Sequence, residues 1–136
     1  MREVLSVRET VLTEPVELAL PARRSMMLVL RLTTAGVVAR AGLTVDRMDD
    51  VKLAVEEACS SLISEAGGPE RLRLRFSEAD GALRISVRGE DGTPAAIGAD
   101  EREVVRCILE SLVDGAALCV DGSAIVGADL RVALGA

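Results

Sequence analysis

Apolar residues recur along this chain with two different periods, and each change of period marks a new element. Over residues 46–64 (DRMDDVKLAVEEACSSLIS) the spacing is helical. With Met48 as origin and a step of about 100° per residue, Val51, Val55, Ala58, Cys59 and Leu62 fall within about 80° of it, forming one apolar stripe. Asp46, Asp49, Asp50, Glu56, Glu57, Ser60, Ser61 and Ser64 fill the other side. Thr44 is placed to cap this helix, and its early acids suit the positive end of the helix dipole. Gly67-Gly68-Pro69 ends the pattern, so the predicted helix runs from about 45 to 66. Glu57 and Ser61, four residues apart, share one face a turn apart. By periodicity alone that acidic side is a solvated surface on a core helix.

Two further stretches read as helices. Residues 22–41 are apolar nearly all round, with Arg23, Arg24, Arg31 and Arg40 as the only charges; such a helix is sandwiched or lies at an interface. Over residues 99–113, Val104, Val105, Ile108, Leu109 and Leu112 recur at helical spacing. Elsewhere the period is two. RLRLRFS (71–77) and ALRISVR (82–88) alternate strictly around Asp80-Gly81, a strong hairpin signal. Leu72, Leu74 and Phe76 form one face, Leu83, Ile85 and Val87 match it, and the arginines point the other way. Residues 116–120 and 124–134 form a second hairpin through Asp121-Gly122. Residues 16–20 read as a short strand, and residues 4–13 as an extra N-terminal strand. The order β-α-α-β-β-α-β-β predicts an α+β fold: a two-layer sandwich, three helices on one face of a mixed, mostly antiparallel sheet. Length predicts one domain over residues 1–136.

Composition narrows the chemistry. Hydrophobic residues make up 49% of the chain, which fits a packed core rather than disorder. No uninterrupted apolar run is longer than residues 26–30, so neither a membrane span nor a signal peptide is expected. The three cysteines, Cys59, Cys107 and Cys119, include no CxxC pair and sit in apolar patterns, as reduced buried thiols of a cytoplasmic protein would. Without any histidine, His-dependent triads and His-ligated zinc are excluded. A net charge of −6, no Trp or Tyr, and Phe76 alone for stacking argue against direct nucleic-acid binding. An acidic chain instead attracts a basic protein partner.

Three segments then resemble a known family. VELALPARRSMMLVLRLTTAGVVARAGL is similar to the first strand and helix of the anti-sigma-factor serine kinases, within the GHKL (histidine-kinase-like) ATPase superfamily. DRMDDVKLAVEEACSSLI is the most specific match, and ILESLVDGAALCVDG resembles the last helix and the strand after it. The resemblance covers about residues 16–134. It implies a bacterial regulator that holds a sigma factor inactive and phosphorylates an anti-anti-sigma partner on serine, using ATP and magnesium.

The same resemblance supplies site expectations. The family's second helix carries a Glu that acts as general base and an Asn that holds magnesium; here those positions read Glu57 and Ser61. An Asp-x-Gly-x-Gly turn reads adenine; here the place reads VRGEDGTPA, with Gly89 at the Asp position and Asp91 able to substitute only in a shifted register. A Gly-x-Gly lid at the start of the last helix holds phosphate through backbone amides. Counting back from Asp114 puts Glu103, Val104 and Val105 there, and Glu101 and Glu103 would repel phosphate. Only residues 89–98 are available for a lid. With two motifs unmatched and one half kept, the expected function is an anti-sigma-factor-like binding protein with ATP binding weakened or lost. It would sequester a sigma factor or an anti-anti-sigma factor, using the first helix (Met26, Met27, Val29, Leu30, Leu32, Val37) as an interface or burying it. A homodimer is a further possibility left open. The alternatives are an active serine protein kinase with Glu57 as base, and a dimeric interaction module unrelated to sigma factors.

Overall fold

Strict alternation builds the centre of the sheet. In the computed structural model, which describes residues 12–64 and 67–135, strands β2 (Arg71–Ala79) and β3 (Ala82–Glu90) form the expected hairpin. Asp80 and Gly81 both take positive φ, at 54° and 72°, the backbone that a two-residue turn between twisted strands requires. Register places Leu74 opposite Val87 and Phe76 opposite Ile85, so the apolar side chains of both strands lie on one face. Leu72, Leu74, Phe76, Leu83 and Val87 are completely buried there.

β1 (Val16–Pro21) adds to the free side of β2. β5 (Ala124–Ala133) adds to β3, and β4 (Gly115–Asp121) closes the sheet at the far edge, giving the order β1-β2-β3-β5-β4. The two-layer α+β expectation holds. Within it the sheet is antiparallel at every pairing, so the mixed component that was expected is absent among the described strands.

The helices cover the apolar face. α1 is Met27–Val38, preceded by a 3-10 turn over Arg24–Met26; α2 is Val45–Ser60; α3 is Ala99–Leu112. The stripe read from the sequence is the buried side of α2: Val51, Val55, Ala58, Cys59 and, just past the helix, Leu62, joined by Ala54. Thr44 caps it as expected, its hydroxyl accepting from the Arg47 N–H at 3.1 Å. Two boundaries differ from the pattern. Arg23 is extended, which delays α1 beyond residue 22. α2 stops at Ser60 because its end tightens: the N–H groups of Leu62 and Ile63 bond to carbonyls three residues back, at Cys59 and Ser60. The side-chain period cannot register that change.

α1 is buried along one side and exposed along the other. Leu30, Thr34, Val37 and Val38 face the core, while Leu28, Val29 and Leu32 are exposed. Thr34 is a buried polar residue, and its hydroxyl donates to the Leu30 carbonyl at 2.9 Å. Arg31 grips Glu56 of α2 through two 2.9 Å bonds, so α1 and α2 are clipped together at their solvent edge. Of the expected N-terminal strand, only Leu12 and Thr13 fall within the described residues, and neither is in a strand. Leu12 is buried, and its N–H donates to the Glu78 carboxylate at 3.1 Å.

Two outcomes follow from this packing. Phe76→Ala empties the largest fully buried side chain and lowers unfolding free energy by about 3–5 kcal/mol in a urea titration, whereas Leu28→Ala on the exposed side of α1 changes it by less than about 0.5 kcal/mol. Burial, with Glu56 adding to it, pushes the Cys59 thiol up to about 12. A thiol reagent at neutral pH therefore modifies exposed Cys107 in the folded protein and reaches Cys59 only after denaturation. Equal labelling rates for the two would contradict the buried position of Cys59.

Candidate functional site

The acidic side of α2 opens onto a cavity of about 300 Å³. Its floor is the last turn of that helix, with Glu57, Ser60 and Ser61. Its walls come from the loop after β3, with Ala95, Ala96 and Ile97, and from the first turns of α3, with Glu101 and Val105. The shared helix face thus brings Glu57 and Ser61 together, as the spacing required. Among the described residues no hydrogen-bond donor or cation is bound to the Glu57 carboxylate. Ser61 caps the helix C-terminus, and its hydroxyl donates to the Ala58 carbonyl at 2.7 Å. Ser60 on the next position receives a 3.1 Å bond from Arg24.

The lining carries two carboxylates, Glu57 and Glu101, and no Lys or Arg. A polyphosphate needs the opposite balance of charge, or a ring of backbone amides. The position expected for a lid has moved. Glu103, Val104 and Val105 do not begin the last helix; α3 starts at Ala99, so these three residues are already within it. Glu103 turns to Arg106, whose guanidinium holds its carboxyl below the usual range, and does not line the cavity. Of the two acids expected there, only Glu101 lines the cavity. Val105 is buried against the core and Val104 is exposed.

The segment between β3 and α3 is short and fastened. Ala96 forms a bridge with Ala124, and the Ile97 N–H donates to the Ser123 carbonyl at 3.0 Å. These bonds tie residues 96–97 to the start of β5, so the expectation of no long lid agrees with the geometry.

Asp91 lies elsewhere. It borders a separate cavity of about 120 Å³ with Leu62, Pro69, Gly89, Gly92, Pro94, Ile125 and Val126. Asp91 and Gly92 form the turn leaving β3, both at positive φ (59° and 68°). That turn is pressed against residues 67–70: Glu70 donates to the Glu90 carbonyl at 3.0 Å, and a Cβ on Gly92 would stand 2.4 Å from the Gly68 carbonyl oxygen. At Gly89 a Cβ would come within 2.9 Å of the Pro69 ring. The position where the family's Asp is expected therefore has no room for a side chain unless Pro69 moves. Sequence reasoning could not find this contact, because Pro69 reads only as a helix stop until the hairpin register brings it beside Gly89.

Residues 20–106 match the family model described as the histidine kinase-like ATPase domain. The chain is 40% identical over 80 residues to the serine-protein kinase RsbW of Halalkalibacterium halodurans, covering 57% of this chain and 49% of that protein. It is 32% identical over 78 residues to the serine-protein kinase RsbW of Bacillus subtilis, covering 55% and 49%. The matched region thus spans about half the length of these relatives. The crystal structure of the RsbU and RsbW domains of a Mycobacterium tuberculosis protein superposes with a TM-score of 0.67 at 18% identity, over 90% of this chain and 33% of that one, a likeness of fold. The match across most of the chain, from β1 into α3, makes this protein a member of the histidine kinase-like ATPase domain family.

Proposed function

We propose that this protein is an anti-sigma-factor-like regulator that sequesters its partner by surface binding and has weakened or lost ATP binding. The observation that carries the reading is the cavity beside α2, whose lining holds Glu57 and Glu101 and no Lys or Arg, Arg24 reaching its edge only at Ser60. Three further features support it. The Ser61 hydroxyl is engaged with the Ala58 carbonyl, and its short side chain reaches less far than a carboxamide. Gly89 is closed off by Pro69. The segment that would form a lid is tied to β5. On this reading the residues present do not fit magnesium-ATP.

The partner reading comes from the sequence resemblance: a sigma factor or an anti-anti-sigma factor, met in the cytoplasm. Two surfaces suit it. Leu28 and Leu32, one turn apart on α1, are 59% and 64% exposed, more than a solvated helix needs. Asp46 and Asp49 on α2 are also exposed and would steer a basic partner. A second reading, an active serine protein kinase, is favoured by one observation: the Glu57 carboxylate, unpartnered among the described residues, lines the cavity, where a general base would stand. The name serine-protein kinase carried by the relatives agrees with it.

Calorimetric titration with magnesium-ATP decides between them. The expected affinity is weaker than about 1 mM, and Ser61→Asn does not restore phosphorylation of an anti-anti-sigma substrate, because the Gly89–Pro69 contact and Glu101 remain. Low-micromolar ATP binding by the wild-type protein would establish the kinase reading instead. Partner capture is expected to slow as salt rises from about 50 to 500 mM, and Leu32→Glu is expected to weaken it without lowering the Tm. A sigma factor whose association ignores both changes does not use these surfaces.

A further inference from the structure

Helices cover one face of the sheet, and among the described residues the other face is open. Its outward positions on three neighbouring strands carry Arg71, Arg73 and Arg75 of β2, Arg84 and Arg88 of β3, and Arg131 of β5. Three acids accompany them: Glu17 binds Arg75 at 2.8 Å, Glu90 binds Arg73 at 2.7 Å, and Asp129 binds Arg88 at 3.0 Å. A chain of net charge −6 thus gathers positive charge on one surface. All of it is guanidinium, the group that meets a carboxylate through two parallel bonds.

The register sharpens this. Arg73 stands directly opposite Arg88, and Arg84 directly opposite Arg131. Like charges at directly opposed positions destabilise an antiparallel pair. The first pair is neutralised by Glu90 and Asp129. Arg88 also lies across Gly127, donating to the carbonyls of Val87 at 2.9 Å and Ala128 at 3.2 Å. The second pair is not neutralised: among the described residues, no carboxylate pairs with Arg84 or Arg131. A groove of about 280 Å³ runs beside Arg84, lined also by Arg75, Ser77, Ser86 and Asp129, so hydroxyl groups adjoin the free guanidinium.

We propose that this open sheet face docks a protein partner through an acidic segment, with Arg84 and Arg131 taking its carboxylates. The acids on the same face favour a protein over a nucleic acid: Glu17, Glu90 and Asp129 would repel a continuous phosphate backbone, whereas a protein surface of mixed charge can answer them. No aromatic side chain is available to stack, since Phe76 is buried on the opposite side. No large apolar side chain of β2 or β3 is exposed to enter a lipid surface. The surface lies across the sheet from Glu57, so the proposal is independent of whether ATP binds.

Fluorescence anisotropy with labelled poly-L-glutamate at near-physiological salt tests it. Duplex DNA and phosphatidylserine vesicles serve as competing polyanions, and sedimentation of the protein alone reports self-association. The expected result is that poly-L-glutamate binds more tightly than either competitor. Arg84→Ser with Arg131→Ser then weakens that binding by about tenfold or more, while Arg102→Ser on α3 leaves it unchanged. The double variant keeps or raises the Tm, because a repulsive pair is removed, so loss of binding is not loss of fold. Four results would overturn the proposal: no binding of poly-L-glutamate, wild-type affinity in the double variant, tighter binding to DNA or vesicles, or self-association that the double variant abolishes.

Discussion

The molecule depends on one contact: the apolar face of the β2–β3 hairpin against the apolar stripe of α2. Leu72, Leu74 and Phe76 meet Leu83, Ile85 and Val87 across the ladder, and Val51, Val55, Ala58 and Cys59 seal them from water. Each Val, Leu, Ile or Phe side chain among them contributes roughly 1.5–3 kcal/mol on burial, so this layer outweighs any surface ion pair in the structure. Both partners are patterned for a single orientation. A one-residue slip in the hairpin would turn three arginines of β2 into the core and its leucines to solvent.

That contact also places the candidate site. Because α2 must lay its stripe on the sheet, its acidic side is left facing the loop after β3 and the start of α3, and Glu57 opens onto the space between them. In the family, that space is where the resemblance puts nucleotide. Ordinary packing shapes that space and the neighbouring cavity of Asp91: a backbone bridge between Ala96 and Ala124 and a serine hydroxyl bonded to the Ala58 carbonyl at the first, a proline ring against a glycine at the second. None of these contacts is unusual by itself. The proposed loss of ATP binding rests on their coincidence with the positions that the resemblance gives to an adenine carboxylate, a lid and a metal ligand.

Charge is distributed by the same two-layer logic. The strands alternate, so the arginines excluded from the core appear together on the open side of the sheet, while α2 shows its acids on the helical side. The overall charge of −6 describes neither surface. A partner approaching the helices meets carboxylates and the exposed leucines of α1, and one approaching the sheet meets guanidinium groups.

The sequence by itself determined the elements and the sides they bury. Period-two alternation made β2 and β3, the 3.6-residue period made α2, and Thr44 and Asp80-Gly81 marked a cap and a turn, because those signals depend on neighbours along the chain. It also brought Glu57 and Ser61 to one face. Tertiary structure decided the rest. The end of α2 at Ser60 follows from a tightened last turn, and the cavity of Glu57 is distinct from the one beside Asp91 because the loop after β3 folds between them. Glu101 faces the site while Glu103 turns to Arg106, a difference that depends on where α3 begins. The Gly89–Pro69 contact and the Arg84–Arg131 opposition join residues far apart in the chain. Such pairings are fixed by strand register and packing, which no local period encodes.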